Sequence, residues 1–352
     1  MSDSDYYSVV QRGVVLSDEV ILNDELNFPK CKEYTNNLNS FLANYSEQND
    51  NEHMPSPINC KYYSLEDFTQ SNYKTSKVTS ILHINIHSIE KHINELQNYL
   101  MLTGFIFDVL AISESKLQTN IPPKVDITIE GYHYPLSTPT KATKGGVLLY
   151  INENLLFKPR PDLHIYADKA IESHFVEMIN PKGKNSVVGV IYRHYTSNPI
   201  DFLDTYLRPL VQDKLSKDII NKNVYIAGDF NFDLTKIDCQ ETSDFFDTMT
   251  SCQLLPTILL PTKLNRQHNT LLDNIFTNQF NPDMTSGNFT LQISDHLASF
   301  LQCEFITEIN QIKWDNILQT EKRDANLTFN TFYDTIEEIL DRHMPKRKLT
   351  KK

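Results

Sequence analysis

The sequence predicts an α/β sandwich, because runs of β-branched and aliphatic residues alternate with helical patterns between residues 78 and 304. The chain has 352 residues, of which 40% are hydrophobic and 22% are charged, as in an ordinary folded protein. At roughly 150 residues per domain, this length corresponds to about two domains or to one domain with extensions. With 9 glycines, the sequence excludes a glycine-rich fibrous or low-complexity chain.

The predicted strands are short apolar runs, and the first of them is rich in β-branched residues. They are residues 78–86, 107–112, 146–151, 175–179, 187–192 and 223–227. Residues 88–102 carry Ile89, Ile93, Leu96 and Leu100 at the spacing of one helical face, which predicts a helix after the first strand. Helices are also predicted over 202–215 and 243–252.

Charge and composition divide the chain into three parts. Residues 1–77 have a net charge of −6 and are rich in Asn, Ser, Asp and Glu, which predicts a largely disordered N-terminal extension. Residues 78–304 have a net charge of −7 and form the predicted folded domain. Residues 305–352 have a net charge of +1 and contain a predicted amphipathic helix at 329–340. The overall charge of −12 argues, by itself, against binding of nucleic acid through a broad basic surface.

Cysteine usage and hydropathy give expectations about compartment. The 5 cysteines include no CxxC pair, so a disulfide scaffold or a zinc ribbon is not expected. No run of 18 apolar residues is present, and the acidic N-terminus lacks the features of a signal peptide. We therefore expect an intracellular protein without a membrane partner.

Polar side chains stand at the ends of the predicted strands, where they would share one edge of a sheet. They are Asn85, Glu114, Tyr192 with Arg193, Asp229 with Asn231, Asp273, and Asp295 with His296. A single strand-end carboxylate is usually a surface or capping residue. The whole set has the chemistry of metal-assisted phosphodiester hydrolysis, because carboxylate and amide oxygens suit Mg²⁺ and a histidine can contact a developing anionic oxygen.

Several ordered motifs give this set a family resemblance. IAGDFN at 226–231 and SDH at 294–296 resemble the signature motifs of the endonuclease/exonuclease/phosphatase superfamily, which includes apurinic/apyrimidinic endonucleases and DNase I. NIHS at 85–88, SES at 113–115 and YR at 192–193 resemble its remaining motifs, in the same order. The resemblance covers residues 78–304 and implies a four-layer α-β-β-α sandwich of the DNase I-like type.

Further blocks are similar to the endonuclease domain of non-LTR (LINE-type) retrotransposons. These blocks are KGGVLLYI at 144–151, ESHFVE at 172–177, LLPTILLPTK at 254–263 and TLLDNIFTN at 270–278. The resemblance implies nicking of DNA with a 3′-hydroxyl and a 5′-phosphate, and nuclear access. It also implies that 305–352 is a connector, with the basic run 346–352, leading toward a reverse transcriptase domain that this sequence does not contain. The alternative for that run is a nuclear-targeting or nucleic-acid-binding patch.

The resemblance also implies roles for individual residues. Glu114 would bind a divalent metal, Mg²⁺ or alternatively Mn²⁺, with the assistance of Asn85. Asp229 would activate the attacking water, and Asn231 would position it. Asp273 would support the site.

The remaining implied roles concern the phosphate. Tyr192 would contact the scissile phosphate, and His296 would hydrogen-bond one of its oxygens while being held by Asp295. Arg193 and Ser294 are predicted to bind the substrate.

Five residues, in three of the motifs, depart from the family pattern. His87 stands where Arg is usual, Ser115-Lys116 replace Thr-Trp, and His194-Tyr195 replace a pair of prolines. These departures concern DNA contacts and substrate preference more than hydrolysis. Two alternatives to a DNA endonuclease therefore stay open: a phosphoesterase acting on lipid or inositol phosphates, and a catalytically inactive transposon remnant that only binds.

Overall fold

The computed structural model describes residues 59–70, 79–141, 144–181, 183–264, 269–279, 284–303 and 333. Two β-sheets of seven strands each face one another, and helices cover their outer faces. The predicted four-layer α-β-β-α sandwich is therefore confirmed.

The strands in chain order are β1 (Asn59–Tyr63), β2 (Ser80–Asn85), β3 (Val109–Ser113), β4 (Leu136–Thr138), β5 (Val147–Ile151), β6 (Leu156–Pro159), β7 (Tyr166–Ala167), β8 (Ile171–Ile179), β9 (Ser186–Arg193), β10 (Asn223–Asp229), β11 (Leu255–Pro256), β12 (Asp273–Thr277), β13 (Thr285–Gln292) and β14 (Leu297–Gln302). The first sheet has the order β1-β13-β14-β2-β3-β5-β4. The second has the order β11-β12-β10-β9-β8-β6, and β7 pairs with β8.

The α-helices are α1 (Leu65–Gln70), α2 (Ile89–Thr103), α3 (Pro199–Asp201), α4 (Ser216–Asn221) and α5 (Gln240–Thr250). Short 3₁₀ turns occur at Pro161–Leu163 and Leu234–Lys236. The predicted helix over 202–215 forms with the wider hydrogen bonding of a π-helix, in the segments Phe202–Leu207 and Pro209–Lys214. The six strands predicted from the sequence all form, with shifted ends.

The layer between the sheets explains why both sheets are buried on two faces. On β2, β3 and β5, every second residue packs against alternate residues of β8, β9 and β10. Ile81, Val109 and Val147 are among these inward-facing residues of the first sheet, and Val190 and Ala227 are among those of the second. The intervening residues pack outward, under α1 and α2 on one side and under the π-helical segments and α5 on the other.

Residues 59–70 correct the predicted domain division. The sequence analysis assigned them to a largely disordered extension, but β1 pairs in parallel with β13 in the first sheet. Phe68 of α1 is buried, with ring centroids 4.9 Å from Phe289 and 5.2 Å from Phe300. Short segments at the edge of a sheet have little helical or strand periodicity of their own. Because the surrounding sequence is polar, composition alone predicted disorder here.

The other parts of the division stay predictions, because 1–58, the predicted helix at 329–340 apart from Tyr333, and the basic run 346–352 lie outside the described residues. Within the part of the chain that the structure describes, no helix is long and apolar enough to cross a membrane.

Two glycines in the second sheet are places where any larger residue should destabilise the fold. A Cβ on Gly228 would lie 2.0 Å from the carbonyl oxygen of Ile191, and a Cβ on Gly189 would lie 2.0 Å from the Phe175 ring. Each Ala substitution should cost about 1–3 kcal/mol, measured as a change in the free energy of unfolding by denaturant. Phe175→Leu should relieve the Gly189→Ala substitution, because the obstacle there is a side chain.

No side-chain change can relieve Gly228→Ala, because the obstacle is backbone. A double-mutant cycle should therefore show coupling between Phe175→Leu and Gly189→Ala, with Gly228→Ala in the Phe175→Leu background as the matched control. An equal cost of Gly189→Ala in both backgrounds would contradict this account.

Candidate active site

The polar residues singled out in the sequence meet at one end of the layer between the sheets. β2 runs parallel to β3 in the first sheet, and β9 runs parallel to β10 in the second. The hydrogen bond from Asn85 at the end of β2 to Asp229 at the end of β10 shows that these strands end at the same edge of the sandwich. The last inward-facing residues there are Asn85, Ser113, Tyr192, Asp229 and, at the start of antiparallel β12, Asp273. Strand alternation, which buries aliphatic side chains along the layer, thus places polar ones at its end.

Glu114 directly follows β3 and receives two hydrogen bonds on one carboxylate oxygen. The amide Nδ2 of Asn85 donates to Oε1 over 3.2 Å, and the hydroxyl of Tyr192 donates to the same oxygen over 3.1 Å. The other oxygen, Oε2, is buried and has no hydrogen-bond partner among the described residues. A buried carboxylate oxygen without a partner is costly, so this atom is available to a ligand.

The backbone at this edge is held in an uncommon conformation. Glu114, His87 and Asn231 have φ of 51°, 56° and 52°, in the left-handed region that non-glycine residues seldom adopt. Such conformations persist where the surrounding structure fixes them, and they cluster at functional sites.

Two hydrogen-bond donors hold the carboxylate of Asp229, and its surroundings shift its pKa. Asn85 Nδ2 donates to Oδ2 over 2.9 Å, and the backbone N–H of Asn231 donates to Oδ1 over 3.0 Å. Burial and the negative charge of Asp273 raise the pKa of Asp229 to about 7. Asn85 therefore links Glu114 to a carboxylate that can exchange a proton near neutral pH.

His296 pairs with Asp273, which corrects the prediction that Asp295 holds it. Nδ1 of His296 lies 2.7 Å from Oδ2 of Asp273, and Thr262 donates its hydroxyl to the same oxygen over 2.6 Å. Burial opposes a charge on the imidazole, but the Asp273 carboxylate outweighs burial and raises the pKa of His296 to about 9. The adjacent Asp295 could not be distinguished from Asp273 in the sequence, because only the fold brings β12 beside the turn before β14.

Asp295 lies at the mouth of the site with two basic residues. Its carboxylate is 2.6 Å from Nζ of Lys263 and 3.8 Å from Nδ1 of His87, and its side chain is half exposed. Lys263 Nζ also lies 3.3 Å from Nε2 of His296, and His87 Nδ1 lies 3.7 Å from Oε2 of Glu114. The structure thus adds Lys263 and Thr262 to the site, two residues of the LLPTILLPTK block to which the sequence analysis gave no role.

The two predicted substrate-binding residues, Arg193 and Ser294, instead make hydrogen bonds within the protein. The guanidinium of Arg193 donates to the carbonyl oxygens of Asn231 and Ser197, each over 2.9 Å, and its carbon lies 4.3 Å from the Phe232 ring centroid. The Ser294 hydroxyl donates to the carbonyl oxygen of Asn85. Their contact with substrate stays a prediction, and the hydrogen bonds show that both side chains hold backbone segments of the site.

Asn231 supports the same loop. Its Nδ2 donates to the carbonyl oxygen of Arg193 over 2.7 Å, so the two residues hold each other. The contact of Asn231 with Asp229 described above is made by its backbone.

His83 is a further buried residue of the site, and the motifs in the sequence did not indicate it. It is fully buried on β2, with Nδ1 3.7 Å from Oδ1 of Asp273 and Nε2 3.2 Å from the Ser113 hydroxyl oxygen. Burial lowers the pKa of His83 to about 4, so the ring is neutral at neutral pH. The sequence signal that could have found it is its position two residues before Asn85, which places both side chains on the same face of the strand.

Two neighbouring groups could hold a divalent cation. One is Glu114 with Asn85, where Oε2 lacks a partner. The other is Asp229, Asp273 and His296, whose ligand-type atoms lie within 4.8 Å of one another. Oδ1 of Asp273 also lacks a hydrogen-bond partner among the described residues. We nevertheless favour Glu114 for the cation, because His296 already offsets the charge of Asp273, whose Oδ2 binds both His296 and Thr262.

The Asp273–His296 contact predicts that Asp273 and Asp295 differ in their effect on the pKa of His296. Asp273→Asn should lower the pKa of His296 well below about 9, because burial and the charge of Lys263 then oppose the imidazolium and only Asp229 still favours it. Asp295→Asn is the matched control and should leave the pKa of His296 raised. The measurement is an NMR titration of labelled histidine in metal-free buffer, and the opposite ranking of the two variants would contradict this geometry.

Several known proteins are similar to this chain. Among curated proteins, no sequence matches this chain. Similar solved structures include an AP endonuclease from Leishmania major, at 12% identity and a TM-score of 0.48, covering 64% of this chain and 87% of that one. They also include a 3′-5′ exonuclease from Neisseria meningitidis, at 14% identity and a TM-score of 0.46, covering 64% of this chain and 100% of that one.

The sequence profile of the endonuclease/exonuclease/phosphatase family matches residues 82–296, which include every site residue from Asn85 to His296. This span is more than half of the chain. The chain therefore belongs to the endonuclease/exonuclease/phosphatase family, whose members are hydrolases that act on phosphodiester bonds.

Proposed function

We propose that this chain is a divalent-metal-dependent endonuclease that nicks DNA and leaves a 3′-hydroxyl and a 5′-phosphate. The observation that carries the proposal is the buried Glu114 carboxylate, which has one oxygen bound by Asn85 and Tyr192 and the other without a partner. It stands beside Asp229, whose raised pKa suits proton transfer.

The donor set fits a hard cation such as Mg²⁺ or Mn²⁺. Glu114 would hold it with one carboxylate oxygen, with Asn85 as a second ligand or as support for Glu114. When bound, the cation would offset negative charge on the phosphate under attack. The hydrogen bonds from Asn85 and Tyr192 fix the orientation of the Glu114 carboxylate, and with it the position of its unpartnered oxygen.

The remaining residues would orient water and phosphate. Asp229, fixed by Asn85 and by the backbone N–H of Asn231, would accept a proton from the attacking water. His296, made cationic by Asp273, would donate from Nε2 to a phosphate oxygen. Lys263 Nζ lies 3.3 Å from that same nitrogen, so a phosphate oxygen beside both groups would interact with two cations.

We further propose that the DNA is a retrotransposon target and that the protein acts in the nucleus. Support comes from the LINE-like sequence blocks at 144–151, 172–177, 254–263 and 270–278. A nick with a free 3′-hydroxyl would serve as primer for a reverse transcriptase. In this proposal, residues 305–352 are the connector toward such a domain.

The first test is nicking of supercoiled plasmid with Mg²⁺. Glu114→Ala and His296→Ala should each lower the nicking rate by about 10²-fold or more, and EDTA should abolish nicking. Asp213→Ala removes an exposed carboxylate on the outer helical layer and is the control, with an expected rate close to wild type. Equal activity of all four proteins would refute the proposal, and DNA binding without turnover in wild type would favour the inactive remnant.

The second test concerns the ends of the nick. A DNA polymerase should extend the nicked strand directly, since a 3′-hydroxyl needs no further processing. Pretreatment with a 3′-phosphatase is the control and should not increase extension. Extension that depends on the phosphatase would contradict the proposed chemistry, and release of phosphate from an inositol phosphate without DNA nicking would favour the phosphoesterase alternative.

A further inference from the structure

Three loops meet directly beside Glu114, and backbone hydrogen bonds hold them together. The N–H of Ser115 donates to the carbonyl oxygen of Gly146 over 2.9 Å, and the N–H of Lys116 donates to that of Gly145 over 2.8 Å. The N–H of Ile89, the first residue of α2, donates to the carbonyl oxygen of Ser115 over 3.0 Å. The residues that flank these contacts are therefore neighbours in space.

A buried histidine–glutamate hydrogen-bond pair joins a loop of the second sheet to this group. Nε2 of His194 lies 2.9 Å from both carboxylate oxygens of Glu172, and both residues are buried. Gly145, at φ 103°, packs against the pair so closely that a Cβ there would lie 2.8 Å from each partner. The pair thus fixes the positions of Gly145 and of Tyr195, the residue after His194.

The outer side of this assembly carries lysines and one exposed aromatic ring. Lys91 and Lys144 are exposed, Lys116 is half-buried, and Tyr195 is 59% exposed. Nζ of Lys144 lies 4.7 Å from the Tyr195 ring centroid.

Two of the sequence departures from the family pattern fall in this group. Lys116 belongs to the Ser115-Lys116 pair, and Tyr195 belongs to the His194-Tyr195 pair. They are about 80 positions apart in the chain, yet the contacts above bring their loops together. Their proximity indicates one shared surface.

We infer that Lys91, Lys116, Lys144 and Tyr195 form a nucleic-acid-binding rim, which we call the lysine–tyrosine rim. The inference rests on the proposed function. Lysines supply charge to backbone phosphates, and an exposed aromatic ring offers a face on which any base can stack. A DNA strand is favoured over an acidic peptide, because Lys116 is two residues from Glu114 and a strand bound at the site would continue along the rim.

The rim predicts separable effects on DNA affinity and on its salt dependence. Binding of a fluorescent duplex oligonucleotide to the full chain in EDTA, where no cleavage occurs, is measured by anisotropy over a series of salt concentrations. The double variant Lys116→Gln/Lys144→Gln should weaken binding and reduce the slope of log K against log salt by about 2. Lys214→Gln/Lys217→Gln makes the same charge change on the outer helical layer and should leave the slope close to wild type.

Stacking on Tyr195 is tested with one variant that removes the aromatic ring and one that keeps it. Tyr195→Ala should weaken binding by at least about fivefold without changing the slope, and Tyr195→Phe should bind like wild type. Plasmid nicking by wild type is measured in parallel. If wild type nicks DNA but the rim and control double variants bind equally, the rim is refuted and the proposed function stands. If wild type neither binds nor nicks DNA, both are refuted.

Discussion

The packing of two sheets through one shared layer is the constraint on which the rest of this structure depends. Along most of the layer, alternate residues such as Ile81 and Val190 exclude water. At one end the same alternation brings Asn85, Asp229 and Asp273 into that layer. A carboxylate in such a place must find a partner or change its pKa, because burial disfavours its charged form. The chemistry of the site follows from that requirement.

The three buried carboxylates meet this requirement in three ways. Asp273 pairs with His296, and burial alone would raise its pKa, but the imidazolium holds the pKa below its usual range. Asp229 has amide donors only, and its pKa rises. Glu114 binds Asn85 and Tyr192 through one oxygen and keeps its other oxygen free for a ligand. Different surroundings thus separate carboxylates that look equivalent in the sequence, which is how one site can hold a permanent anion, a proton acceptor and a ligand side by side.

The sequence predicted the sandwich and most of the site, because strand alternation and ordered motifs are local signals. It assigned 59–70 to a disordered extension, because their contacts with β13 and Phe289 are distant in the chain. It chose Asp295 as the partner of His296, although the fold supplies Asp273 from another strand. It could not show that the Phe232 ring and nearby carbonyl oxygens hold the guanidinium of Arg193, whose contact with substrate stays a prediction. Each error concerns a side-chain direction or a long-range contact.

The net charge of −12 now has a structural interpretation. Half of it belongs to residues 1–77, of which 59–70 join the fold, so the division between an acidic extension and the domain is less sharp than composition indicated. The affinity for a polyanion depends on the electrostatic field at the place where the polyanion binds. Charges farther away than about 10 Å contribute little, because salt at moderate concentration largely screens them. Lys263 and His296 lie together at the site, and Lys116 and Lys144 belong to loops that backbone hydrogen bonds hold together directly after Glu114. An acidic protein can therefore present a cationic path to a phosphate backbone, provided that the path is short and begins at the site itself.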